Sequence, residues 1–542
     1  MHKYSKMLLL SIIALAFILR VWNINTNPPG VHADEADSGY TALSLIKTLH
    51  DPYGNFLPLQ FQGQANNYRA PLYTYIIVPF VYFFGLSPFT TRIPSALFGV
   101  LFVILLYIVS LKLFGKKDVA LCISFLAAIN PWSILISRTG LEVNLCVVIV
   151  MAAITAFLYK DKHISYIPLS TFLFGLALFS YHPAKIAVPL ILFTLFLLFY
   201  KDLLKKKMIL ILSASIFSIF LALIFILALY GNGAKELYNV SIFDSSRANE
   251  VVNSQRTQTN GSLKLSPIFS NKPIYYAREF INHYIAPLSL NYLYVNGESN
   301  LDKGLGNYGQ YHFFEIPLVL LGLIAVFKRY RRIFYLLIAW FAIGLIPGGI
   351  TKTGYYSYRD VILLPVPLIL GGLGISYFQS LYRRRLLFVF SIFTLISAYL
   401  FCYFLYNMYF AYPVYSRDWW AQNQRGVIEY VTKNKQNYKT VYIHGGADWA
   451  VMYAFYNNIS PDLFQKAYIN QIKIGKNSTI KLENIYIGDI VRNNEKISLT
   501  PEFIPSSLII VPGDYFKNEN ASKSFHSVDG VHVELKAYSL RK

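Results

Sequence analysis

The segment His32-Ala33-Asp34-Glu35-Ala36-Asp37 sets three carboxylates within four positions, directly after the first apolar run of the chain. Acids are scarce here: of 542 residues, 55% are hydrophobic and 14% charged. A carboxylate at a membrane surface can act as a general base, taking the proton of a hydroxyl as that hydroxyl attacks. The competing structural role is to cap a helix starting near Ala36, since acids favour helix N-termini. Capping needs only one of the three, so Asp34 is the expected catalytic base.

Further along, a few polar residues stand out between apolar runs. Arg69, just before Pro71, carries a planar fork of donors that suits a phosphate, or more plainly a lipid headgroup. Arg92 reads as an anchor for the apolar segment that follows it. Arg138 and Glu142 are four apart, so on a helix they would share a face, as a closed pair or as part of a site. His182 and Lys185 flank Pro183; a lone histidine there is more often structural, and Lys185 offers a phosphate contact. Tyr355-Tyr356-Ser357-Tyr358-Arg359-Asp360 adds Tyr358 and the guanidinium of Arg359.

Positioning these groups falls to a membrane bundle. A spanning helix needs roughly 20 apolar residues. Candidate spans are 7–24, 93–114, 119–136, 144–160, 164–181, 184–200, 208–230, 312–328, 332–349, 361–380 and 386–410. The segment Pro71–Gly85 is apolar but short and contains Pro79, so it is expected to lie in the interface. With that choice every basic block falls on one side: Lys116-Lys117, Lys160/Lys162, Lys201/Lys205/Lys206/Lys207, Lys328/Arg329/Arg331/Arg332 and Arg383-Arg384-Arg385. The positive-inside rule makes that side cytoplasmic. The net charge of +21 therefore reflects topology, not nucleic-acid binding. The N-terminus is expected inside and the C-terminus outside, and the polar segments above share the outer face with loops 25–92 and 231–311.

Met7 to about Trp22 lacks a small-x-small cleavage site and reads as a retained first span. Cys122, Cys146 and Cys402 all sit in apolar runs, which excludes a disulfide framework or zinc-site spacing. From about Tyr412 the composition becomes that of a soluble domain. Asp418–Lys433 and Trp449–Tyr456 read as helices; Lys439–His444, Leu508–Val511 and Val531–Tyr538 read as strands. The expected architecture is an all-α polytopic bundle of about eleven spans, residues 1–411, with a small extracytoplasmic α/β domain, residues 412–542.

Several motifs occur in order: a first span ending in Arg20, Asp34-Glu35-Ala36, Arg-Ala-Pro-Leu-Tyr (69–73), Thr-Arg-Ile-Pro-Ser-Ala-Leu-Phe-Gly (91–99), Pro-Trp (131–132) and Ser-Arg-x-x-Leu-Glu (137–142). The series resembles the dolichyl-phosphate-mannose protein mannosyltransferase-like enzymes of the GT-C class, including the bacterial aminoarabinose lipid A transferases. The resemblance covers residues 1–200 and, more loosely, Tyr358–Gly374. It implies an inverting transferase that takes a sugar from a polyprenyl-phosphate donor and passes it, on the outer face, to a lipid, glycan or protein acceptor. It assigns Asp34 as base or acceptor-positioning group with Glu35 beside it, Glu142 as a second acid, and Arg69 and Arg359 as lipid-phosphate contacts. Arg138, His182, Lys185 and Tyr358 complete the expected substrate-binding set. The chain departs from the resemblance at Tyr-His-Pro-Ala-Lys (181–185), which replaces a more usual arginine-containing segment.

The chemistry suits these residue types. Phosphate is already a good leaving group, so the protein needs to hold it, orient the sugar and activate one hydroxyl. Asp34, Asp37 and Glu142 could offer oxygen ligands to a divalent metal, but no metal is expected to be required. Two other classes of function compete. A transporter or flippase of lipid-linked glycans predicts ionisable residues mid-span and a repeat relating two halves. A sensor or anchor would make the acidic cluster incidental.

Overall fold

The computed structural model describes residues 2–63, 68–230, 240–258, 265–380, 387–474, 477–488, 492–493, 496–497, 506–513, 521–528 and 533–540. The basic block Arg383–Arg385 and parts of the loop 231–311 lie outside the described residues. By its contacts the chain divides into two compact units: residues 1–22, 95–137 and 142–405, and residues 23–94, 138–141 and 406–542.

The first unit is helical and apolar, and the chain is a multi-pass membrane protein. Among the described residues, seven helices are long and apolar enough to cross a bilayer, and the bent pair Lys117–Ile129 and Pro131–Ser137 is together long enough for a broken span or a re-entrant loop. All eleven expected segments are helical. Three of them are short: Val143–Leu158 with 16 residues, Tyr166–Ala177 with 12 and Glu315–Arg329 with 15. At about 1.5 Å per residue these fall below a bilayer's hydrocarbon thickness.

The bend of 57° follows from Asn130-Pro131. Pro131 cannot continue the first helix, and Asn130 turns extended at φ −63° and ψ 127°. A broken helix inside a membrane frees carbonyls that must find donors. Arg20 supplies them from the first helix: its Nη1 donates to Ala128 O at 3.0 Å and its Nη2 to Ala127 O at 3.0 Å and Ser133 Oγ at 2.9 Å. His312 Nε2 pairs with Ile129 O at 2.9 Å. Gly99 makes room, since a Cβ there would lie 2.7 Å from Arg20 Nε. The buried charge near the end of the first span is thus a splint for a kink.

The second unit holds a seven-stranded mixed sheet. Its order is Lys523–His526, Val533–Leu540, Ser507–Pro512, Thr440–His444, Ile485–Gly488, Asn477–Leu482, Ile472–Ile474. Thr440–His444 is central and runs parallel to both neighbours. One face of the sheet packs on the helices Gln422–Asn434 and Ala447–Asn457 through a core that includes Val427, Val431, Val441, Ile443, Phe455 and Ile510. The expected helix Asp418–Lys433 begins later, at Gln422, because Ala421 adopts a left-handed φ of 52° and breaks the run after Trp420.

Ala36 and Tyr40, one turn apart on the helix Ala33–Thr48, belong to the same core as Phe455 and Phe464. Tyr40 donates to Ile459 O at 3.0 Å and meets Phe464 edge-on. The acidic segment and the first outer loop therefore group with residues 406–542. The expected division at residue 411 had placed them with the bundle. Pro-rich loop composition hid this, since the stripe Ala36/Tyr40 is too short to announce its partner.

Candidate active site

The acidic helix starts at Ala33, not near Ala36. His32 is the N-cap: its Nδ1 accepts from Asp34 N–H at 3.2 Å, while Glu35 reaches back to accept from His32 N–H at 3.1 Å. This reciprocal capping box orders the segment and splits the three acids among three environments.

Glu35 is fully buried. Its Oε1 accepts from Arg92 Nε at 3.0 Å and Gly140 N at 2.5 Å; its Oε2 accepts from Arg92 Nη2 at 2.7 Å and from the cap. Arg92 is equally occupied. Its Nη1 donates to Ile24 O at 3.1 Å and Pro28 O at 3.0 Å, and its Nη2 also donates to Gly30 O. All five guanidinium donors and four carboxylate lone pairs are therefore used. A carboxylate so engaged holds a loop and has no lone pair to spare for a substrate proton.

Asp37, also buried, pairs with Arg69 Nη2 at 2.9 Å. Arg69 Nη1 reaches Ser38 Oγ and lies 3.5 Å from Asp34 O. Burial raises the Asp37 pKa to about 7, against the opposing pull of Arg69. Asp34 differs from both. Its side chain is 43% exposed on the first turn, with His32 Nδ1 at 3.6 Å. Of the three acids it alone presents its carboxylate outward.

Arg138 is buried, donates to Asn27 O at 2.8 Å and lies 5.1 Å over the Tyr409 ring. Desolvation lowers its pKa to about 10, so it stays charged at neutral pH. The helix proposed to align Arg138 with Glu142 is absent: residues 138–142 form the turn between Pro131–Ser137 and Val143–Leu158. Gly140 permits that turn's close approach, because a Cβ would sit 3.0 Å from Thr91 O.

The remaining expected site residues lie in the other unit. Glu142 is half-buried just before Val143–Leu158. Lys185 Nζ donates to His182 Nδ1 at 3.1 Å. Tyr358 is buried and donates to Asp302 O at 2.7 Å, so it fastens a loop. Arg359 lies 4.1 Å over the Tyr356 ring and donates to Thr351 Oγ1 at 2.7 Å and Gly354 O at 2.8 Å.

Arg359 also lines a cavity of about 500 Å³ with Tyr292, Glu298, Asn300, Lys303 and Tyr356. Glu298 stitches its walls, accepting from Asn300 N at 3.1 Å and Ser357 N at 3.2 Å. Burial raises its pKa. Lys303 pairs with Asp302 at 2.5 Å. Glu298 and Lys303 escaped the sequence reading, although Gly-Glu-Ser-Asn-Leu-Asp-Lys (297–303) is a charged run in an otherwise sparsely charged stretch. Among the described residues no three His, Cys, Asp or Glu side chains group as a metal site.

The fold is shared with membrane transferases of known structure. Residues 68–226 match the family described as dolichyl-phosphate-mannose-protein mannosyltransferase. The chain is similar to the oligosaccharyltransferase AglB from Archaeoglobus fulgidus, solved with an inhibitory peptide and a dolichol-phosphate: TM-score 0.50, 14% identity, 83% of this chain and 63% of that one. It thus spans less than two thirds of the archaeal protein. ArnT from Cupriavidus metallidurans bound to undecaprenyl phosphate gives TM-score 0.50 at 13% identity, over 85% of this chain and 77% of that one. ArnT in the apo state gives 0.51 at 13% identity, over 83% and 84%. No curated protein matches this sequence.

Two outcomes follow for stability. Glu35→Gln leaves a buried guanidinium uncompensated and is expected to cost about 3–5 kcal/mol, whereas Asp34→Asn loses only a helix-dipole contact, under about 1 kcal/mol. Denaturant midpoints of the two purified variants check this. For Asp37 the folded-state pKa stands above the unfolded value of 3.8. Its proton is therefore bound more tightly by the native state, and stability declines as pH rises from about 4 to 7. The difference in melting temperature between wild type and Asp37→Asn should change over that window; a constant difference contradicts the assignment.

Proposed function

We propose that this chain is a membrane glycosyltransferase that moves a sugar from a polyprenyl-phosphate donor to an acceptor hydroxyl, with inversion, and that Asp34 is its general base. The observation that carries the assignment is the division among the three acids. Glu35 and Asp37 are held in buried ion pairs, and Asp34 has an exposed carboxylate. The match over residues 68–226 and the fold shared with proteins solved with dolichol-phosphate and undecaprenyl phosphate support the donor class.

In the proposed reaction the acceptor hydroxyl gives its proton to the Asp34 carboxylate as its oxygen bonds to the anomeric carbon. The bond from that carbon to the phosphate oxygen breaks, and its electron pair leaves with the lipid phosphate. Attack from the face opposite the leaving group inverts the configuration. Within the helical unit, the cavity lined by Arg359, Lys303, Glu298 and three tyrosines has cations that suit a phosphate and polar groups that suit hydroxyls. Glu35, Arg92 and Arg138 are positioning residues in this scheme. Arg69 contributes by balancing Asp37, and any donor contact it makes is secondary.

Asp34→Asn is expected to lower turnover by about 10²–10⁴-fold while leaving the melting temperature near wild type. Arg359→Ala should raise the donor KM more than the acceptor KM. Release of free lipid phosphate from polyprenyl-phosphate sugars, with protein in liposomes, measures both; wild-type turnover in Asp34→Asn rejects the base.

The charge rule supports a cytoplasmic N-terminus and an extracytoplasmic C-terminal unit. In a cysteine-free background, Lys116→Cys should resist an impermeant thiol reagent on intact cells. A cysteine at Asn423 should be labelled, and the reverse pattern would overturn the orientation.

A further inference from the structure

One crowded feature of the helical unit plays no part in the proposed reaction. Where the helices Pro88–Phe114, Val143–Leu158, Ala184–Leu204 and Arg331–Gly349 end or begin, four cations surround two aromatic rings. Lys160 Nζ lies 4.1 Å from the centre of the Phe199 ring, and Arg332 Cζ lies 4.0 Å from the same centre. Lys112 and Lys162 sit over the Tyr159 ring at 5.4 and 4.9 Å. Two cations on one ring repel each other, so the arrangement calls for negative charge nearby.

The protein supplies little of it. Asp161 stands 3.6 Å from Lys112 Nζ and 3.9 Å from Lys160 Nζ, and Asp202 stands 3.7 Å from Arg332 Nη2. All three separations exceed the 2.7–2.9 Å typical of a charge-assisted hydrogen bond. Two carboxylates face four cations, an excess of two positive charges. The Lys160 side chain is only 6% exposed, and the carboxylate it pairs with, Asp161, stands 3.9 Å from its ammonium. Arg332, by contrast, is tethered through Nε to Leu198 O at 2.8 Å, which fixes its fork at the rim.

We propose that this cluster is a binding site for the phosphate of an anionic membrane lipid, with Lys160 at its floor and Lys112, Lys162 and Arg332 around it. Basic pockets between spanning helices on the cytoplasmic side recognise such headgroups, and the charge rule assigns this end of the helices to that side. The setting favours a lipid over a soluble anion. Phe193, Leu197 and Leu204 are exposed apolar side chains on the helix that carries Phe199, so that helix offers surface to acyl chains. The lipid's phosphate would relieve the Lys160–Arg332 repulsion and tie four helix ends together, away from the cavity that Arg359 lines.

Native mass spectrometry of the full chain in detergent tests the site, with phosphatidylglycerol and phosphatidylcholine offered in equal amounts. Wild type should retain phosphatidylglycerol preferentially. Lys160→Met, which keeps the apolar stem, should weaken that preference about fivefold. Lys112→Gln/Arg332→Gln leaves the buried floor intact and should weaken it further, which covers a Lys160→Met protein that fails to fold. Equal retention of the two lipids by wild type would overturn the proposal, as would a preference that survives both sets of substitutions. Displacement of the lipid by millimolar inorganic phosphate would reassign the site to a soluble anion and overturn the lipid assignment.

Discussion

The ion pair between Glu35 and Arg92 is the constraint on which the outer-loop unit depends. It joins residues 57 positions apart, is wholly buried, and gathers Ile24, Pro28, Gly30, His32 and Gly140 through their backbones. A buried pair gains little over an apolar substitute in stability alone, because two charges must be stripped of water. What it provides here is geometry. Every donor and acceptor is matched, so the loop has one arrangement, and the acidic helix leaves it in a single direction with Asp34 facing outward.

That pair makes sense of the neighbouring charges. Four ionisable groups, Glu35, Arg92, Asp37 and Arg69, form two buried pairs whose sum is neutral. The carboxylate left over is Asp34, at the positive end of a helix and in contact with water. The scaffolding charges are thus balanced in the interior, and Asp34, the general base proposed above, stands outside that balance. In the helical unit the same logic recurs at Arg20, whose charge serves a broken helix, and at Glu298, whose carboxylate joins the two walls of a cavity.

Much of this was legible in the residues. Apolar runs announced the spans, because a bilayer demands length and hydrophobicity of any helix that crosses it. Thr440–His444 and Ser507–Pro512 were visible as short β-branched runs. The strands Ile472–Ile474, Asn477–Leu482 and Ile485–Gly488 were not foreseen, being short and interspersed with polar residues. Partnerships were harder to see. Glu35 looked like a second catalytic acid and Arg92 like a membrane anchor, since an acid at a helix start and an arginine at a span start are each ordinary. Only the fold shows that they are spent on each other. The i,i+4 reading of Arg138 and Glu142 failed for a local reason: Thr139-Gly140 turns the chain so that Gly140 N–H can reach Glu35.

The most direct test of the account is chemical rescue. With Asp34 replaced by alanine, a small carboxylate such as formate can occupy the vacated space and take the acceptor's proton. Formate should restore lipid-phosphate release to Asp34→Ala but not to Glu35→Ala, whose defect is structural. Rescue of Glu35→Ala instead, or full activity of Asp34→Ala without formate, would contradict the claim that the exposed acid does the chemistry.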